Sequence, residues 1–238
     1  MNLLVDIGNT RCKWALGVAG RLAETGVMVR DATPDWVEDL TTAAVDSIVV
    51  SSVAQPEALD ALEAYAARRG VPLQALASSA RSGALVNAYP EPQRLGVDRW
   101  MACIAAEADG EGSVLVADAG TALTLDFVDG QSQHLGGLIT PGVATMRGAL
   151  RRQTQLRPNS EDSAPAWLST NTDNAIAAGT LRSAISLLDT AVRDLVPARL
   201  LLTGGDAALL APHLAHSWTL RPHLVLEGLA LQAERESG

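Results

Sequence analysis

The chain has 238 residues, 47% of them hydrophobic, enough for one large domain or two of about 110–120 residues each. Its 18 basic and 27 acidic residues give a net charge of −9, with no basic run of the kind a nucleic-acid arm carries, so nucleic acid is not an expected partner. Two cysteines outside any C-x-x-C pattern, a first apolar run that stops at Asp6, and no apolar stretch near the ~18 residues that span a membrane predict a reduced, cytoplasmic protein with no membrane partner.

Residues 2–6, 11–18 and 22–30 read as extended, with a turn at Gly20-Arg21. Here the apolar run Leu3-Leu4-Val5 enters the phrase Asp6-Ile7-Gly8-Asn9-Thr10. Glycine lets a backbone approach a phosphate closely and point its N–H groups at it. Asn9 and Thr10 add donors, and Lys13 adds a point charge within reach of a phosphate. Asp6 only accepts, which suits Mg²⁺ held through water. Asp-x-Gly-Asn is also ordinary hairpin chemistry, and a single copy would be read that way.

Pro34-Asp35-Trp36 starts a short helix with Thr33 as its N-cap. Residues 47–51 read as a buried strand, Pro56 to Arg69 as a helix ended by Gly70, and residues 71–76 as a short strand. Residues 78–95 are loop-like, and Gly96 to Ala108 is helical in composition. That helix opens on Leu95-Gly96-Val97-Asp98-Arg99-Trp100. A carboxylate at a helix N-terminus is stabilised in its charged form, ready to accept a proton. A guanidinium beside it can grip a carboxylate or phosphate with a bidentate fork. The plain structural alternative makes Asp98 a helix-start residue and Arg99 a solvated one.

Asp109-Gly110-Glu111-Gly112 is poor in helix and strand formers, and the domain boundary is placed there, giving domains 1–112 and 113–238. The second half opens like the first: Val114 to Ala117 enters Asp118-Ala119-Gly120-Thr121-Ala122, and a second strand follows. A strand near 132–140, helices near 142–152 and 172–195, a strand at 198–203 and a helix near 223–235 complete it. Thr203-Gly204-Gly205 ends that last strand, where a glycine pair lets a flat base or ribose lie against the backbone. Two copies of strand, acidic-Gly-hydroxyl turn and strand, one per half, favour a phosphate clasp over two unrelated hairpins. Strands alternating with helices make the chain α/β.

These motifs, in this order, resemble type III pantothenate kinases, members of the acetate and sugar kinase/Hsc70/actin superfamily. Asn87-Ala88-Tyr89-Pro90, Gly136 to Gly142, Asn171-Thr172 and Leu226 to Leu229 carry further family marks, so the resemblance runs from residue 2 to about residue 232. It implies two duplicated ribonuclease-H-like (actin-like ATPase) domains with a nucleotide cleft between them, and a homodimer. It implies transfer of the γ-phosphoryl of ATP to the terminal hydroxyl of pantothenate, with Mg²⁺ and a monovalent cation, K⁺ or NH₄⁺.

The same resemblance makes Asp98 the general base and Asp6 the Mg²⁺ holder through water. It places Asp6, Ile7, Gly8, Asn9, Thr10, Arg11, Cys12, Lys13 and Thr121 at ATP, and Asp118 at the monovalent cation. It places Tyr89, Gly96, Val97, Asp98 and Arg99 at pantothenate, joined by Thr172 of the same or the neighbouring subunit. A kinase for another small hydroxylated substrate fits the paired clasps alone equally well, and a nucleotide-binding regulator is the reading from another class. His213 and His216, with no further ligand at zinc spacing, read as surface residues. Arg147, Arg151, Arg152 and Arg157 read as a solvated helix face, and the five tryptophans as core or interface packing.

Overall fold

The computed structural model describes residues 1–29, 34–41, 43–153 and 167–237. Thr33 as a cap, Arg157, and residues 159–166 lie outside the described residues. The elements in chain order are β1 (Asn2–Ile7), β2 (Arg11–Val18), β3 (Arg21–Val29), β4 (Ser47–Ser52), α1 (Pro56–Arg69), β5 (Leu73–Ala75), β6 (Arg81–Ser82), β7 (Leu85–Val86) and α2 (Val97–Ala108). They continue with β8 (Val114–Ala119), β9 (Ala122–Val128), β10 (His134–Pro141), α3 (Val143–Gln153), α4 (Thr172–Leu195), β11 (Arg199–Thr203), α5 (Ala207–Leu210), β12 (Thr219–Leu220) and α6 (Leu224–Ser237). Short 3₁₀ turns lie at Pro34–Asp39, Pro92–Arg94 and Ala211–His213.

One topology appears twice. The first sheet has the order β3-β2-β1-β4-β5 and the second β10-β9-β8-β11-β12. In each, the first strand of the half pairs antiparallel with the next strand in sequence and parallel with a later one. Burial explains the sequence of the central strands. Leu3, Leu4, Val5, Ile48, Val49 and Val50 are all buried, as strands covered on both faces require. Edge strand β3 instead has only exposed and half-buried residues.

Caps and packing account for the helices. Pro56 opens α1, and Gly70, in the left-handed region, closes it with its N–H on the carbonyls of Ala66 and Ala67. The side chain of Asn171 accepts the N–H of Asn174 and caps α4. By length and composition alone α4 could cross a membrane, contrary to the expectation that no stretch reaches that length. Half of its apolar window is buried, with Leu181, Ala184 and Leu188 in the second core.

Two compact units result. The first is Met1–Glu111 with Gly130–Gly136 and His223–Gly238; the second is Gly112–Asp129 with Gly137–Pro222. The expected continuous second domain, 113–238, is therefore corrected, because the chain returns to the first unit twice. Val86 donates its N–H to Ser132 at 2.9 Å, and Ser132 Oγ donates to Glu107 Oε1 at 2.9 Å, which ties in the short segment. The final helix returns because Leu224, Leu226 and Leu229 are apolar and buried, with α6 lying on α2 and on strands β1 to β4. Arg235 donates to Ser82 Oγ at 2.7 Å and fastens its far end.

Candidate functional site

In the first unit the Asp6 phrase ends β1 and turns into β2, the hairpin that its turn chemistry predicts. The N–H of Gly8 donates to the carbonyl of Arg11 at 3.0 Å and closes the turn. Asp6 and Lys13 are register partners across β1 and β2. Asn9, Thr10 and Arg11 are exposed, and Asp6, Gly8 and Lys13 half-buried. Ile7 and Cys12 are fully buried in the apolar core, so only their backbone groups can meet a ligand.

The second group of the first unit gathers at the N-terminus of α2. Asp98 Oδ1 accepts the N–H of Arg99 at 2.8 Å, folding the carboxylate back on its own helix start. Arg99 is not solvated: it is only 6% exposed, and its Nη1 donates to the Tyr89 hydroxyl at 3.3 Å. Tyr89 is positioned in turn. Its N–H donates to Asn87 Oδ1 at 3.0 Å, and its ring stacks on that of His134 with centroids 6.2 Å apart. His134 is buried and its Nδ1 accepts the N–H of Ala88 at 3.5 Å. Tyr89 is thus brought to the Asp98-Arg99 motif, with Gly96 as the N-cap residue and Val97 buried.

The second unit repeats the strand-turn-strand at Asp118. Gly120 donates its N–H to Ala122 at 2.9 Å and Asp206 donates its N–H to Ala119 at 2.8 Å, so the glycine pair after β11 lies beside this turn. The carbonyl of Thr121 accepts twice, from the N–H of Gly142 at 3.0 Å and from Thr145 Oγ1 at 2.5 Å. Thr121 itself is exposed and Asp118 half-buried. Thr172 is exposed on the first turn of α4.

Three residues that hold the candidate groups were not singled out in the sequence: Ser51, His134 and Thr145. A lone hydroxyl in the buried run of β4 was a usable signal for Ser51. The other two meet their partners only through tertiary packing. Arg147 corrects the solvated basic face: its Nε donates to Thr180 Oγ1 at 3.1 Å, pinning α3 to α4, while Arg152 is exposed. Trp36 and Trp100 are core residues, whereas Trp167 is 69% exposed, with the Arg182 guanidinium 3.9 Å above its ring. His213 and His216 are exposed.

A curated relative, a type III pantothenate kinase of Halorhodospira halophila, is 36% identical over 252 residues, covering 100% of this chain and 99% of its own. A solved structure from Campylobacter jejuni, described as a Baf family transcriptional activator, superposes with a TM-score of 0.66 at 22% identity over 99% of this chain and all of its own. The activator of 2-hydroxyisocaproyl-CoA dehydratase from Clostridium difficile, with bound ADPNP, has a TM-score of 0.58 at 12% identity over 99% of this chain and 96% of its own. These structural likenesses give the two-domain ribonuclease-H-like fold of the actin-like ATPases. The type III pantothenate kinase family model matches residues 2–194, and with the full-length identity above this establishes that the chain belongs to the type III pantothenate kinase family.

Proposed function

We propose that this protein transfers the γ-phosphoryl group of ATP to the terminal hydroxyl of pantothenate, opening coenzyme A synthesis, with Asp98 as the general base. The observation that carries the assignment of roles is the cluster at the start of α2. A carboxylate, a buried guanidinium and a phenol converge there, the Tyr89 hydroxyl on Arg99 and the Asp98 carboxylate on the same helix turn. Arg99 and Tyr89 suit a carboxylated, hydroxylated substrate, and Asp98 suits its reacting hydroxyl. Gly96 and Val97 supply the backbone at that helix start, and Thr172 is a further pantothenate contact by resemblance to the family.

At the first turn, Gly8, Asn9, Thr10, Arg11 and Lys13 line the ATP phosphates, with Ile7 and Cys12 contributing through their backbone. Asp6 orders Mg²⁺ by way of water, and its oxygen-only donor set suits that ion. Phosphoryl transfer depends mainly on positioning and charge neutralisation, which these groups provide. In the second unit Thr121 meets ATP and Asp118 a monovalent cation, K⁺ or NH₄⁺. The donors fit a hard cation: Asp118 is in register with Thr203, whose fully buried Oγ1 has no hydrogen-bond partner among the described residues. We read the protein as cytoplasmic and as a homodimer, the dimer supported by exposed Leu138, Ile139, Trp167 and Leu168 on the second unit.

The test is ADP release from purified protein with ATP, Mg²⁺ and K⁺, with and without pantothenate. Turnover that appears only with pantothenate supports the reading. Turnover without it, or none in K⁺, NH₄⁺ or Na⁺, overturns it.

A further inference from the structure

Ser51 sits near the C-terminal end of β4, and its partner across the parallel ladder is Asp6 on β1. Register partners on adjacent strands project to the same face of a sheet, so the two side chains lie next to each other. Ser51 is 0% exposed, and its Oγ donates to Asp6 Oδ1 at 2.9 Å.

The rest of β4 argues that this hydroxyl is not there for packing. Ile48, Val49 and Val50 are all buried and apolar, and a small apolar residue would continue the run. Burying a hydroxyl costs free energy that a hydrogen bond offsets, and here the proton has somewhere to go. It goes to the carboxylate. An O–H donor of fixed origin on one carboxylate oxygen restricts rotation of the Asp6 side chain, which stands half-buried at the end of β1.

The second unit supplies the contrast. Thr203 occupies the equivalent place on β11, in register with Asp118, and is also 0% exposed. Its hydroxyl nevertheless has no hydrogen-bond partner among the described residues. The duplicated scaffold sets a buried hydroxyl beside the acid twice, and of the two hydroxyls only that of Ser51 donates to its acid.

We propose that Ser51 is the positioning residue for Asp6. Its hydroxyl sets the carboxylate in the orientation that orders the hydrated magnesium of the nucleotide. This rests on the reading of Asp6 as the magnesium-ordering acid. Partners that orient metal-binding groups from behind are worth about 10–100-fold in metal affinity or activity, so the effect is measurable.

The experiment titrates Mg²⁺ at saturating ATP, pantothenate and K⁺ in wild type, Ser51→Ala, Ser51→Cys, Ser51→Thr and Asp6→Asn. Melting curves show which variants fold, and Mn²⁺ binding in the presence of ADP is followed by paramagnetic resonance as a readout apart from turnover. Ser51→Cys keeps the volume with only a weak donor, so it serves where Ser51→Ala does not fold. The expected result is a Mg²⁺ requirement raised about tenfold in Ser51→Ala and Ser51→Cys, weaker Mn²⁺ binding, an unchanged KM for pantothenate, and recovery in Ser51→Thr. A Mg²⁺ dependence in folded Ser51→Ala or Ser51→Cys equal to wild type, while Asp6→Asn is shifted, overturns the positioning role alone. An unshifted Asp6→Asn overturns the magnesium reading of Asp6 itself.

Discussion

Asp98 occupies the space a side chain on Gly96 would need: a Cβ there would lie 2.6 Å from Asp98 Oδ1. The glycine two residues before the acid thus sets where the carboxylate rests. Gly96→Ala is expected to displace Asp98 and lower kcat at least tenfold while changing the melting temperature little. Asp98→Asn, which keeps the shape and removes the base, is expected to lower kcat about 10²-fold or more. Steady-state kinetics with ATP and pantothenate check both, and an unchanged kcat in Asp98→Asn removes that residue from the chemistry.

The Tyr89–Arg99 pair yields a separate expectation. Tyr89→Phe removes the hydroxyl that a buried guanidinium donates to. A loss of about 1 kcal/mol in substrate affinity is expected, roughly a fivefold rise in the KM for pantothenate. Arg99→Lys loses the planar fork and is expected to cost more. The two changes share one interaction, so the double variant should cost less than the sum.

Gly204 ends β11 with φ of +96°, and a Cβ there would lie 2.4 Å from Asp118 Oδ1 and 2.3 Å from the Ala119 carbonyl. Gly204→Ala therefore combines backbone strain with a collision against the second turn. A stability loss of about 1–3 kcal/mol is expected by denaturant unfolding, with a raised K⁺ requirement for activity. A variant with unaltered K⁺ dependence would separate Asp118 from the monovalent cation.

His223 gives a pH dependence of known sign. Burial, then the nearby Lys13 charge, push its imidazole below the usual 6.5, and Glu227 opposes them. The unfolded chain then binds a proton before the folded one does. Stability from this group is intact above pH 6.5 and is lost as pH falls through the lower folded value. Urea unfolding between pH 5 and 8 should show that decline, and His223→Gln should flatten it.

Much of the fold was legible because its determinants are local. Buried strands β1, β4, β8 and β11 are apolar runs, and Pro56, Gly70 and Asn171 mark helix ends by their own chemistry. The four-residue α5 and two-residue β12 escaped because no periodicity develops over so few residues. The motif residues were visible, but the sorting among them was not. That Ile7 and Cys12 face the core depends on strand phase, and that Arg99 is buried depends on Tyr89, ten residues away. Ser51 and Thr145 reach their partners across sheet register and helix packing, which a single sequence does not display.

The return of α6 to the first unit has a consequence for biosynthesis. Residues His223–Gly238, made long after Met1–Glu111, complete the same unit. During synthesis the α2 face must therefore wait for α6 to leave the ribosome before it is covered. A stop codon near residue 223 would damage the unit that carries Asp6 and Asp98, while the unit nearest the truncation would keep its core.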